Sequence, residues 1–244
     1  MTAAANVWVY VLDTGGEPEL PPALAANLPS AEAARAAALR RPQDRLNRRA
    51  AYAALVTLAA RRSGIPPAAI GIRRDADGKL RLQLPAAAGP LHVSLSHSGT
   101  RIAIALAGCA VGVDLERIDQ ADHRALLREH FPHDPQPAGE DPQAWFFRLW
   151  TAKEALLKAI GSGLRLPLRD LVLRAPTTAF QSPTAWPAGT GLGQARVASL
   201  ELGADYAGAV AVHGVNAAEQ PSCTLVALNL GQFRAGEAAF AGPG

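Results

Sequence analysis

The chain has 244 residues, enough for one large domain or two small ones with a full core. With 49% hydrophobic and 18% charged residues it has the composition of a folded globular enzyme and not of a disordered chain. A net charge of +3 is too small to argue for nucleic acid, and no apolar run approaches the length of a membrane span. The charge is unevenly placed, however: nine arginines fall between positions 40 and 74, which favours a polyanionic ligand over a membrane surface. Cys109 and Cys223 lie in apolar, strand-like runs without metal-type spacing, so buried free thiols and a reducing compartment are expected. The first apolar run, residues 7–12, is too short for a signal peptide and has no basic lead, so a cytoplasmic protein is expected.

In chain order, residues 7–13 (VWVYVLD) predict a strand. After Pro21 and Pro22 come two alanine-rich helices. One starts near Ser30 as N-cap and stops before Pro42; the other is capped by Asp44 and runs over residues 45–63 to Gly64 and Pro66. Residues 70–82 form a hairpin turning at Asp77-Gly78. HVSLSHS (92–98) and RIAIALAG (101–108) form a second hairpin around Gly99, and VGVDLERI (111–118) is a further strand. A helix near residues 122–130 leads through a proline-rich loop, 132–142, into FFRLWTAKEALLKAIGSGL (146–164), read as one helix. Residues 175–195 are a long irregular excursion. Strands follow at 195–202, 206–214 and 224–230, and the last dozen residues are expected to fray. Residues 94–108 (SLSHSGTRIAIALAG) echo residues 199–214 (SLELGADYAGAVAVHG), a weak sign of duplication, since hairpins look alike. Duplication predicts an α+β fold of two similar halves, antiparallel sheets with packed helices, divided as residues 1–115 and 116–244 with the active site in the cleft between them.

The helix at 146–164 is apolar at nearly every position from Trp145 to Ile160, so it should be buried on most sides. Its charges, Arg148, Lys153, Glu154 and Lys158, would cost several kcal/mol to bury (order of magnitude) without partners. Trp150, Glu154 and Lys158 share one face. Asp114 and Glu116 alternate along their strand, opposite apolar Val111, Val113 and Leu115, and so share a face too. Carboxylates converging from a strand and a helix suit a hard cation such as Mg²⁺. The bland readings remain open beside these: a strand end emerging into solvent, and an i,i+4 ion pair. Ser96, His97 and Ser98 sit where a strand turns, either as a satisfied turn or as donors to phosphate oxygens. Lys79 and Arg48, taken singly, look like solvated charges.

Taken in order, HVSLSHS, VGVDLERI and LWTAKEALLKAIGSGL resemble the 4'-phosphopantetheinyl transferases, and the length and basic N-terminal half resemble the larger, surfactin-synthetase-activating type. The resemblance is strong over residues 91–164, extends back to Arg45, and fades at 175–195 and at both ends. It implies transfer of the 4'-phosphopantetheine arm of coenzyme A to a serine of an apo acyl, peptidyl or aryl carrier protein, with release of adenosine 3',5'-bisphosphate. By resemblance, Asp114, Glu116 and Glu154 would be Mg²⁺ ligands, with Glu154 also a general base. Lys158 would stabilise the leaving group and contact a coenzyme A phosphate; Ser96 and His97 would contact coenzyme A phosphates; Lys79 and Arg48 would meet its nucleotide end. Two positions depart from the family pattern. Leu80 follows the hairpin lysine where proline is usual, and residues 50–53 are small and aromatic where an arginine often recurs, which leaves Arg45, Arg48 and Arg49 as rivals for the 3'-phosphate. A single chain with both halves needs no second subunit, so a monomer is expected. The alternatives are a non-catalytic coenzyme A or carrier-binding module and a Mg²⁺-dependent nucleotide phosphodiesterase.

Overall fold

The computed structural model describes residues 5–162, 166–216 and 220–233. Its strands are β1 (Asn6–Asp13), β2 (Gly71–Arg74), β3 (Leu80–Gln83), β4 (His92–Ser98), β5 (Arg101–Ala107), β6 (Ala110–Arg117), β7 (Ala195–Ser199), β8 (Tyr206–His213) and β9 (Ser222–Asn229). Its α-helices are α1 (Pro22–Ala25), α2 (Ser30–Ala37), α3 (Pro42–Ser63), α4 (Arg124–His130) and α5 (Pro142–Ile160). The strands form a first sheet in the order β4-β5-β1-β9, a second in the order β6-β8-β7, and the separate ribbon β2-β3.

The α+β fold and the expected strands are present. Among the described strands all pairings are antiparallel except one: β9 lies parallel to β1, Val9 beside Leu225. Both larger sheets are built alike. The run β1, α3, β4, β5 gives the order β4-β5-β1, and the run β6, α5, β7, β8 gives β7-β8-β6.

Side-chain alternation sorts the molecule into four layers. Val7, Val9 and Val11 of β1 and Val111, Val113 and Leu115 of β6 meet between the two sheets. Tyr10 and Leu12 of β1 point the other way, against α3. Ala207, Ala209 and Ala211 of β8 face α5. The order is therefore α3, first sheet, second sheet, α5, with a core at each of the three boundaries. Strands buried on both faces need apolar residues throughout, which is why β1 and β5 lack a polar alternation.

Two helix starts lie earlier than expected. α3 begins at Pro42, with Arg41 as N-cap and no side-chain cap, and Asp44 sits in its first turn instead of capping it. α5 begins at Pro142, where the Asp141 carboxylate accepts the Ala144 N–H at 2.9 Å. In both helices a proline stands at the first position, where its missing N–H costs nothing. Ser30 is the first residue of α2 and Pro29 its N-cap. α5 ends at Ile160, and Gly161 in the left-handed conformation (φ 79°) closes it, so the helix stops short of the expected 164. Of the last dozen residues, expected to fray, Phe233 is instead buried in the core beside α3, and those from 234 onward, like residues 163–165, lie outside the described residues. A division at 115/116 falls inside β6, and β9 returns from the C-terminal part to the first sheet. Neither cysteine is in a disulfide, both are only partly buried, and burial pushes the Cys223 thiol up to about 11.

Candidate active site

β6 supplies the acids. Its even-numbered positions, Gly112, Asp114 and Glu116, face α5, because the odd positions are committed to the core between the sheets. Gly112 lets the helix come close: a Cβ there would stand 2.0 Å from the Ala155 carbonyl oxygen and 2.5 Å from the Ala159 nitrogen. That contact lays the last two turns of α5, with Glu154 and Lys158, against the acidic end of the strand.

Asp114 is the meeting point. Its Oδ1 accepts from Lys158 Nζ at 2.7 Å and from the Ser96 hydroxyl at 2.7 Å, while Lys158 Nζ also donates to Ser96 Oγ at 3.2 Å. Its Oδ2 is buried and has no hydrogen-bond partner. Glu116 Oε2 accepts from the Ser98 hydroxyl at 2.8 Å. The Glu116 carboxyl is held above its ordinary value by desolvation, then by Asp114 and Asp119 against the Ser98 hydrogen bond and Lys158. Glu154 is also held above its ordinary value, by desolvation first and then by Asp114 and Glu116, with Lys158 opposing. Thus Asp114, Glu116 and Glu154 share one electrostatic neighbourhood in which Lys158 is the compensating cation.

Three alternate serines of β4 fasten the first sheet to this strand. Ser94 Oγ accepts the Val113 N–H at 3.0 Å and Ser98 Oγ accepts the Arg117 N–H at 3.0 Å, while Ser96 bonds Asp114. Hydroxyls here take the place of a neighbouring strand along the edge of β6. Ser94 and Ser98 were not singled out as fastenings by the sequence reading, although the SLSHS alternation is their signal. The turn after β4 is held in turn by a buried network. Asn47 of α3 donates to the Gly99 carbonyl at 2.8 Å and accepts from Thr14 and Gln43, each at 2.8 Å. Asn47 is a buried amide in an alanine-rich helix, a signal that sequence reasoning passed over.

His97 lies on the α3 side of β4, and its imidazole is held below its ordinary value by desolvation and by Lys158 and Arg48, against Asp44. Arg48 is therefore close to the site, but its guanidinium is engaged: Nη2 donates to the buried Glu32 at 2.6 Å, and Nε is buried without a partner. Of its rivals, Arg45 is bound to the carbonyls of Leu39 and Arg40 at 3.0 and 3.1 Å. Lys79 borders a cavity of about 200 Å³ together with Arg74, Leu95 and Lys158, and its ammonium is bound to main-chain carbonyls at the end of α5. Lys153, next to Glu154, points away from the site into the core, where it pairs with Asp134 at 2.5 Å.

The residues fit a hard cation in charge and donor type: three carboxylates, two of them raised by mutual repulsion and desolvation, and one buried, unpartnered oxygen. Among the described residues no three such side chains stand close enough together to hold a metal as they are.

A family model described as the 4'-phosphopantetheinyl transferase superfamily matches residues 110–211, from the first residue of β6 into β8. A putative 4'-phosphopantetheinyl transferase of Synechocystis sp. is 32% identical over 179 residues, 70% of this chain and 71% of the relative. The chain belongs to the 4'-phosphopantetheinyl transferase superfamily. A 4'-phosphopantetheinyl transferase of Bacillus subtilis is 32% identical over 122 residues, 48% of this chain and 53% of that protein. The transferase gsp of Aneurinibacillus migulanus is 34% identical over 86 residues, 33% of this chain and 35% of that one. Against these two the match spans about a third to a half of the relative's length. Among the described residues no helix is long and apolar enough to cross a membrane.

Proposed function

We propose that the protein transfers the 4'-phosphopantetheine arm of coenzyme A to a serine hydroxyl of an apo acyl, peptidyl or aryl carrier protein, releasing adenosine 3',5'-bisphosphate. The observation that carries this reading is the convergence on Asp114. One carboxylate oxygen holds Lys158 and Ser96, the other is buried and unpartnered, and Glu116 and Glu154 lie within its electrostatic reach. Mg²⁺ held by Asp114, Glu116 and Glu154 would neutralise the pyrophosphate and polarise its phosphorus. The chain's own groups account for the rest of the reaction. Glu154, with its carboxyl held above the usual range, takes the proton of the attacking serine. Lys158 stabilises charge on the leaving oxygen, and its ammonium is already poised on a shared carboxylate. Ser96, His97, Lys158 and Arg48 bind coenzyme A phosphates by charge-assisted hydrogen bonds.

The matching strand-helix-hairpin order of the two sheets supports a doubled α+β unit. In that reading residues 1–115 bring Arg48, Ser96 and His97, residues 116–244 bring Glu154 and Lys158, and the cleft lies between. Because one chain contributes every one of these residues, a monomer suffices. Two cysteines outside any disulfide fit a cytoplasmic setting.

The test is the intact mass of an apo carrier protein after incubation with the protein, coenzyme A and Mg²⁺. The expected gain is one phosphopantetheine arm, lost on adding EDTA. Asp114→Ala and Glu154→Gln should each abolish most transfer, and near-normal turnover in either overturns the site assignment. Cleavage of coenzyme A without any carrier marks a phosphodiesterase instead. Coenzyme A binding without transfer marks a binding module.

A further inference from the structure

We infer that Lys79 is a positioning residue that braces the last turn of α5 and thereby holds Lys158 on Asp114. The inference rests on the transferase reading above for its kinetic consequence, though not for its structural one.

Lys79 Nζ donates to the carbonyl oxygens of Lys158, at 2.7 Å, and Ala159. These belong to the final carbonyls of α5, which have no N–H partner within the helix and lie at the negative end of its dipole. The Lys158 residue is thus gripped at both ends: its main-chain oxygen by Lys79, its ammonium by Asp114 and Ser96. Gly161 leaves room for the brace, since a Cβ there would stand 3.3 Å from Lys79 Cδ.

The lysine is presented from a rigid base. Its own N–H donates to Asp75 Oδ1 at 2.9 Å, Asp75 Oδ2 pairs with Arg81 at 3.1 Å, and Arg74 ties the hairpin to Tyr52 of α3 at 2.5 Å. The β2-β3 ribbon therefore links α3 to the end of α5, which gives a purpose to a sheet that otherwise pairs with neither of the larger ones. Burial first, and Arg81 next, pull the Lys79 ammonium down to about 8 against Asp75, which leaves it charged at neutral pH. Two of the ammonium's three N–H donors are committed to the end of the helix.

The experiment compares Lys79→Met and Lys79→Arg with the unaltered chain, by steady-state transfer kinetics and by amide hydrogen exchange over residues 159–162. A brace predicts that Lys79→Met lowers kcat by about tenfold or more while KM for coenzyme A stays within about twofold. It also predicts faster exchange at the end of α5, with both effects largely reversed in Lys79→Arg. A rise of about tenfold in KM for coenzyme A with kcat preserved, or exchange unchanged in Lys79→Met, overturns the inference. If the unaltered chain transfers nothing, the transferase reading fails by itself, and the exchange measurement still decides whether Lys79 braces the helix.

Discussion

A single hydrogen atom at position 112 sets how near α5 can come to the acidic strand β6. Any Cβ there would overlap the Ala155 carbonyl at 2.0 Å, and that oxygen is backbone, which cannot swing aside. Gly112→Ala should therefore push α5 off β6, costing about 1–3 kcal/mol or more by overpacking, and should separate Glu154 and Lys158 from Asp114. The check is a denaturant midpoint together with transfer activity; an unchanged midpoint and full activity would show that the helix tolerates the displacement. From the sequence the alternation of Asp114 and Glu116 was legible, because a strand has period two. The reason for the glycine was not, because it depends on a helix some forty residues further on. Ser96 shows the same limit. Its place where a strand turns left a satisfied turn and a phosphate donor both open, and its hydroxyl is bonded to Asp114 and approached by Lys158. A coenzyme A phosphate would have to share it.

At the scale of the element, α5 carries charge on opposite faces with opposite purposes. Glu154 and Lys158 face the strand, while the fully buried Lys153 donates to Asp134 at 2.5 Å and to the Leu168 carbonyl at 3.0 Å. Asp134 in turn accepts the Leu173 N–H at 2.8 Å, and the ammonium lies 4.4 Å from the Phe131 ring. Desolvation holds the Lys153 ammonium below its ordinary value, with Asp134 opposing. The proline-rich loop and the 166–173 segment are thus pinned to the helix through one side chain. Lys153→Met leaves Asp134 charged, buried and unpaired, and should cost about 3–5 kcal/mol. Adding Asp134→Leu should recover much of that, because no orphaned charge remains, although the Leu173 N–H loses its acceptor. Urea titrations of the two single variants and the double variant measure the coupling; additive losses would refute a paired role. The sequence showed that charges on so apolar a helix need partners. It did not show which face each would take, since Lys153 and Glu154 are neighbours and their division is decided by the segments that fold over the helix. Proline at the first helical position misled in a related way: Pro42 and Pro142 looked like breaks and are starts.

On the scale of the whole molecule, the four layers were foreshadowed by near-continuous apolar strands and two long helices. The crossing of β9 back to the first sheet was not, because a strand's partner is set by shape and not by its own pattern. That crossing binds the ends of the chain together. Leu228, Leu230 and Phe233 fill the core under α3 beside Tyr10 and Leu12, and β9 pairs with β1 along eight residues. A chain ended after residue 219 would lose these three buried side chains, each worth about 2–5 kcal/mol when truncated, and would strip one edge of β1 of its hydrogen bonds. The sum is comparable with the roughly 5–15 kcal/mol by which a domain is stable. The first sheet should then fail to fold, and with it the serines of β4 that hold β6 and Asp114. The second sheet and α5 do not include β9, yet their acids depend on β4 for Ser96 and Ser98. The truncated chain is accordingly expected to lose both a cooperative thermal transition and the proposed transfer activity. A truncated chain that melts cooperatively and transfers at the full rate would mean that β9 decorates the first sheet and does not complete it.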